Sequence, residues 1–162
     1  MTYCSSMRRM NCFGRIGNNS FLERRNVLCL TTIHQMNIIG SMTIFKYTEV
    51  NKIPEGADLI AMGMDYGYTN DPTVLASVYR NEENIYIEEH LYRTQMTTQD
   101  IHDFLVDKGF ERSLIYADSA EPRLNDELRR MGHNIHPSLK GKDSVNAGID
   151  LLKRYKIHVL SS

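Results

Sequence analysis

Cysteine is scarce in this chain of 162 residues and is confined to its beginning. The three cysteines, Cys4, Cys12 and Cys29, all precede residue 30. Their odd number and irregular spacing argue against a disulfide framework and against a zinc site. Cysteine usage of this kind is typical of a protein that works in a reducing cytosol.

Net charge and long apolar runs are also lacking. The formal net charge is -1, so any affinity for a polyanion has to come from a local basic face. No apolar run approaches the ~20 residues that span a bilayer, and Arg8 and Arg9 are not followed by the apolar core of a secretion signal. We therefore expect a soluble, intracellular protein that has no membrane partner.

The beginning of the chain differs from the rest in composition. Residues 1–43 mix Met, Cys, Asn and Arg without a sustained period, and we interpret them as an extension or as the remnant of a preceding linker or domain. Residues 44–162 are long enough for one ordinary domain, which is predicted to begin with a short strand at Thr43 to Tyr47.

Strand and helix patterns alternate along this domain. Three apolar runs separated by turn residues predict an antiparallel meander, and helices and single strands then follow in turn. The predicted strands are 59–64, 73–79, 85–92, 114–117, 134–137 and 157–160, and the predicted helices are 98–108, 122–131 and 144–155. This order predicts an α/β fold with a mixed sheet, in which parallel strands extend the meander and helices flank it.

Two acidic residues stand where buried strands end. Asp65 follows an apolar strand and precedes Gly67, which would let a large group approach closely, and Asp118 lies between a strand and a helix start. If the two strands are neighbours, both carboxylates project from one edge of the sheet. Two such charges ~4 Å apart repel by roughly 4 kcal/mol at an effective dielectric of 20, and a Mg²⁺ ion removes that cost. Taken singly, Asp65 is equally explained by turn hydrogen bonds and Asp118 by helix capping.

A basic loop precedes the last predicted helix. Lys140 and Lys142 flank Gly141 in this loop, and with the amides of a helix start they would suit a nucleic-acid phosphate. A solvated loop with ordinary lysines explains the same residues.

Taken together, these segments resemble the C-terminal nuclease domain of the large terminase subunit of tailed bacteriophages. The segments that carry the resemblance are Gly-Met-Asp65-Tyr-Gly-Tyr-Thr-Asn-Asp-Pro72, Tyr-Ala-Asp118-Ser-Ala-Glu-Pro122 and Lys140-Gly-Lys-Asp-Ser144. The resemblance covers about residue 44 to the end, and it implies a ribonuclease H-like fold.

The resemblance also implies a function. Asp65 and Asp118 would be catalytic and would hold Mg²⁺ or Mn²⁺, two ions in the complete domain, while Lys140 and Lys142 contact double-stranded DNA. The implied partners are the terminase ATPase domain, the small terminase subunit and the portal, in the cytoplasm of a bacterial host. Such nucleases carry a further carboxylate beyond the last strand, in a segment similar to His-x-x-Asp-Ala-x-Arg-Tyr. The chain ends before such a segment and has no Gly-x-x-x-x-Gly-Lys-Ser/Thr loop, so we expect a C-terminally truncated nuclease domain with weak activity or none.

Two alternatives remain open. The first is an inert remnant that binds DNA or a packaging partner without cutting, since the third acid is missing. The second rests on Asp65-x-Gly-x-Thr69, which suits the phosphate turn of actin-like ATPases and sugar kinases but leaves the Asp118 segment unexplained.

Overall fold

A computed structural model describes residues 46–138 and 149–161 of the chain. These residues form nine helices and strands long enough to be named. In chain order they are β1 Tyr47–Val50, β2 Asp58–Asp65, β3 Thr73–Asn81, β4 Asn84–Arg93, α1 Thr98–Asp107, β5 Ile115–Ala117, α2 Pro122–Arg130, β6 Ile135–Pro137 and β7 Lys156–Leu160. Residues 149–152 are also helical and belong to the third predicted helix. Residues 153–155, the end of that predicted helix, form a turn instead. Its residues 144–148, the extension 1–43, Lys140 and Lys142 lie outside the described residues.

All the strands join one sheet of seven, in the order β1-β7-β4-β3-β2-β5-β6. β3 runs antiparallel to β2 and β4, and every other neighbouring pair is parallel. The predicted mixed sheet, with its antiparallel three-strand meander, is therefore confirmed. The first strand of the described residues is Tyr47–Val50, which pairs with β7. Of the strand predicted at Thr43 to Tyr47, residues 43–45 lie outside the described residues and Lys46 is not in a strand.

Apolar side chains cover both faces of the sheet. On the face that we call the Leu152 face, Leu152 packs against buried residues of the sheet, which are Ala61, Ala76, Val78, Ile85, Ile87, Tyr116 and Ile157. On the opposite face, which we call the helical face, Ile101 and Leu105 of α1 and Leu128 of α2 pack against strand residues that include Met62, Met64, Ile115 and Ala117. β2 is therefore buried on both sides, as its nearly continuous apolar sequence predicts.

The two helices begin and end at the predicted signals. Thr97 caps α1 in a reciprocal capping box with Asp100, and Pro122 occupies the first turn of α2. Gly109 and Gly132, with φ of 71° and 101°, follow the two helices. No helix among the described residues is long and apolar enough to cross a membrane.

Candidate metal centre

Asp65 and Asp118 each come directly after the last pair of residues that joins β2 to β5. These strands pair in parallel, and their last two pairs are Gly63 with Tyr116 and Met64 with Ala117. Neighbouring strands are ~4.8 Å apart. The condition that the sequence analysis set, that the two strands be neighbours, is therefore met.

Asp65 lies on the Leu152 face of β2. Side chains alternate along a strand, and Ala61, four positions earlier on β2, belongs to that face. Asp118 follows the end of β5, and its negative charge acts on the Tyr66 hydroxyl. Each acid is half-buried.

Hydrogen bonds fix the chain around Asp118. Its Oδ1 accepts from the amide of Ala120 at 2.9 Å, which is a local turn interaction. Glu121, not Asp118, is the N-cap residue of α2, and the Glu121 side chain makes no capping hydrogen bond.

A buried amide connects the two acidic segments. Asn125 of α2 is fully buried, and its Nδ2 donates to the main-chain carbonyl of Asp118 at 2.8 Å. Its Oδ1 accepts from the hydroxyl of Tyr66, the residue after Asp65, at 2.9 Å. The sequence analysis missed both residues. Asn125 has one local signal, since it lies three positions before the apolar Leu128 on the buried side of α2.

Electrostatics keep Tyr66 protonated. Burial raises the pKa of Tyr66 well above its ordinary value, the negative charges of Asp118 and Glu121 raise it further, and Arg129 opposes them in part. The hydroxyl is therefore a hydrogen-bond donor throughout the neutral pH range.

Gly67 is required by the chain itself. A Cβ atom at Gly67 would lie 2.2 Å from the carbonyl oxygen of Asp71, so it is the chain's own backbone that approaches this glycine closely. The fully buried Thr73 closes the loop, because its hydroxyl donates to the Gly67 carbonyl at 2.8 Å and accepts from the Gly67 amide at 3.3 Å. The sequence predicted that a large group could approach Gly67 closely, and in the structure the group that does so is the Asp71 backbone.

A cavity of about 400 Å³ opens between this loop and the starts of the two helices. Its wall contains apolar, hydroxyl and charged side chains. The lining residues are Tyr66, Gly67, Tyr68, Thr73, Met96, Thr97, Thr98, Ile101, Glu121, Arg123 and Leu124. Met96 and Ile101 in this wall belong to the helical face.

Other acids lie further from the pair. Glu89 of β4 pairs with Ala76, which pairs in turn with Gly63, so Glu89 is on the face of Asp65 but two strands away. Glu88 accepts a hydrogen bond from Tyr79 at 3.0 Å. Within residues 46–138 and 149–161, no group of three His, Cys, Asp or Glu residues is arranged to hold a metal ion.

Comparison with known proteins identifies relatives among phage terminases. The family described as "Terminase RNAseH like domain" matches residues 65–162. The large terminase subunit of Bacillus phage SPP1 is 32% identical over 96 residues, which are 56% of this chain and 22% of that protein. The chain thus spans about a fifth of the length of this relative.

Solved structures show the same fold. The nuclease domain of the SPP1 large terminase, determined with bound Mn, superposes with a TM-score of 0.59 at 27% identity, covering 71% of this chain and 70% of that one. The large terminase of a thermophilic bacteriophage superposes with a TM-score of 0.52 at 20% identity, covering 72% and 32% of the two chains. The family model matches residues 65–162, which are more than half of this chain. The chain therefore belongs to the terminases with a ribonuclease H-like domain.

Proposed function

We propose that this domain cuts DNA in a reaction that depends on a divalent cation held by Asp65 and Asp118. One observation carries the proposal: β2 and β5 pair in parallel up to Met64 and Ala117, the residues directly before the two acids, which supports a close approach of their carboxylates. The SPP1 nuclease domain, which shares the fold, was determined with bound Mn. The family assignment also favours this function over the actin-like ATPase alternative.

The donor set fits Mg²⁺ or Mn²⁺. Carboxylate oxygens are the ligands that these hard cations prefer. Two ionised carboxylates ~4 Å apart repel by roughly 4 kcal/mol at an effective dielectric of 20, and a cation shared between them offsets this repulsion. When bound, the metal supplies an activated water and stabilises charge on the phosphate oxygens.

The protein residues hold the acids in place for this chemistry. The ladder between β2 and β5 fixes both main chains up to the residue before each acid, and Ala120 orients one oxygen of Asp118. We expect Lys140 and Lys142 to contact DNA phosphates, since the sequence predicts a basic loop before a helix there and such a loop attracts phosphates.

The proposal also includes the substrate, the partners and the location of this domain. We infer that double-stranded DNA is the substrate and that the complete domain uses two metal ions. The terminase ATPase domain, the small terminase subunit and the portal are the expected partners, and the cytoplasm of a bacterial host is the expected location. Because no group of three such ligands is arranged to hold a metal ion within the described residues, we expect this chain to bind metal weakly and to cut more readily with Mn²⁺ than with Mg²⁺.

Nicking of a supercoiled plasmid in the presence of Mn²⁺ tests the proposal. Asp65→Asn and Asp118→Asn should each lower the rate by at least about 100-fold, because each removes a ligand of the reacting centre. Asp58→Asn is the matched control, since Asp58 is an exposed acid at the other end of β2. Equal rates in all four proteins would refute the proposal. DNA binding without any metal-dependent nicking would instead favour the inert binding module.

A further inference from the structure

Asn125 uses both ends of its amide on the two acidic segments. The side chain is fully buried, with its Nδ2 2.8 Å from the Asp118 carbonyl and its Oδ1 2.9 Å from the Tyr66 hydroxyl. A carbonyl oxygen only accepts, so the nitrogen must face Asp118 and the oxygen must face Tyr66. The Asn125 amide is therefore held in a single orientation.

The position of this bridge is informative. The β2–β5 ladder ends with the pair of Met64 and Ala117, one residue before the acids. Beyond that pair, β2 continues into the Gly67 loop and β5 into the turn before α2. The hydrogen bonds of Asn125 connect these two segments, since they join Tyr66, the residue after Asp65, to the main chain of Asp118.

We propose that Asn125 and Tyr66 are positioning residues that set the separation of the Asp65 and Asp118 carboxylates. They act through the main chain and touch neither metal nor substrate. The inference rests on the proposed function, because the separation matters only if the two acids share an ion. Residues that orient metal ligands in this indirect way typically change metal affinity by about 10–100-fold when they are replaced.

The chemistry of the bridge requires an amide. An aspartate at position 125 would place a carboxylate against the Asp118 carbonyl, and a leucine would leave that buried carbonyl without its donor.

Two variants test the bridge with the full chain. Tyr66→Phe keeps the ring and removes one hydrogen bond, and Asn125→Asp keeps the shape and removes the donor. Mn²⁺ affinity is measured by titration calorimetry, and plasmid nicking is measured as a function of Mn²⁺ concentration. Tyr79→Phe is the matched control, because the half-buried Tyr79 likewise donates to a side-chain oxygen, that of Glu88 at 3.0 Å, but lies away from the acidic edge.

The expected result is specific to positioning. Tyr66→Phe should weaken Mn²⁺ binding by about 10-fold and raise the Mn²⁺ concentration for half-maximal nicking by a similar factor, while excess Mn²⁺ restores most of the maximal rate. Asn125→Asp should weaken binding more, and Tyr79→Phe should leave it unchanged. If Asn125→Asp does not fold, the comparison of Tyr66→Phe with Tyr79→Phe still decides the matter.

Two outcomes would overturn the inference. The first would leave the proposed function intact, and the second would refute it as well. If Tyr66→Phe is less stable but binds Mn²⁺ as tightly as the wild type, the bridge is merely structural and only this inference is wrong. If the wild type shows no Mn²⁺ binding that depends on Asp65, the proposed function and the inference are both wrong.

Discussion

Replacing Gly67 by alanine should disrupt the loop that follows Asp65. The added Cβ would lie 2.2 Å from the Asp71 carbonyl oxygen and 2.6 Å from that of Pro72, whereas ordinary contacts begin near 3.4 Å. The Asp71 carbonyl therefore has to retreat by about 1.2 Å, the difference between these distances. Both obstructing groups are backbone, so no side-chain rotation relieves the clash.

The cost can be worked out from the contacts of the loop. Forcing an extra carbon into a packed site typically costs about 1–3 kcal/mol. The retreat also pulls the buried Thr73 hydroxyl away from the Gly67 carbonyl, which it bonds at 2.8 Å, and a buried hydroxyl that loses its partner costs about 1–3 kcal/mol. Since the two effects overlap, we expect the free energy of unfolding to fall by about 2–4 kcal/mol.

Urea denaturation measures this loss, and a second glycine supplies the control. Gly56 has a φ of 85°, and no atom lies within 4 Å of the position that a Cβ would take there, so Gly56→Ala introduces backbone strain of about 1 kcal/mol without a clash. Gly67→Ala should cost clearly more than Gly56→Ala. A Gly67→Ala protein that is as stable as the Gly56→Ala protein would refute the close approach of the Asp71 backbone.

Three further substitutions or conditions have defined outcomes. Leu128→Ala empties a fully buried position between α2 and the sheet and should lower the free energy of unfolding in urea by about 3 kcal/mol, and a loss below about 1 kcal/mol would contradict that packing. Thr97→Ala removes the cap of α1 and should cost about 1 kcal/mol in the same assay, whereas no loss would mean that the capping box is not formed in solution. Burial lowers the pKa of His90 and of His133 below the unfolded value of about 6.5. The folded state therefore favours the neutral rings, and its stability should be full above about pH 6.5 and decline as the pH falls towards the lowered folded values. Thermal denaturation between about pH 7.5 and 5 should show a smaller decline for His133→Gln, and an equal decline would exclude this histidine as a cause.

Local sequence patterns predict most of the elements but not their order in the sheet. The β2 run and the capping signals of α1 and α2 depend on residues close together in the chain, and the structure confirms them. The insertion of β7 between β1 and β4 depends on pairing between strands that are far apart in the chain, such as Tyr47 with Ile157, which no local period encodes.

Of the candidate site, too, local sequence patterns predict some residues and not others. Asp65 and Asp118 are recognisable as candidates because each ends or follows an apolar strand, and those two strands pair in parallel up to the residue before each acid. The partners of Asn125 were not recognisable, since Tyr66 and Asp118 reach it only after α2 has packed against the sheet. Gly67 was recognisable as a special position, but the group that approaches it is known only from the folded loop.

Calorimetric titration with Mn²⁺ decides whether Asp65 and Asp118 share an ion. The wild-type chain and Asp58→Asn should show the same saturable binding, and Asp65→Asn and Asp118→Asn should each abolish it. Undiminished binding in either of these last two variants, or no binding in the wild type, would contradict a metal centre at this edge of the sheet.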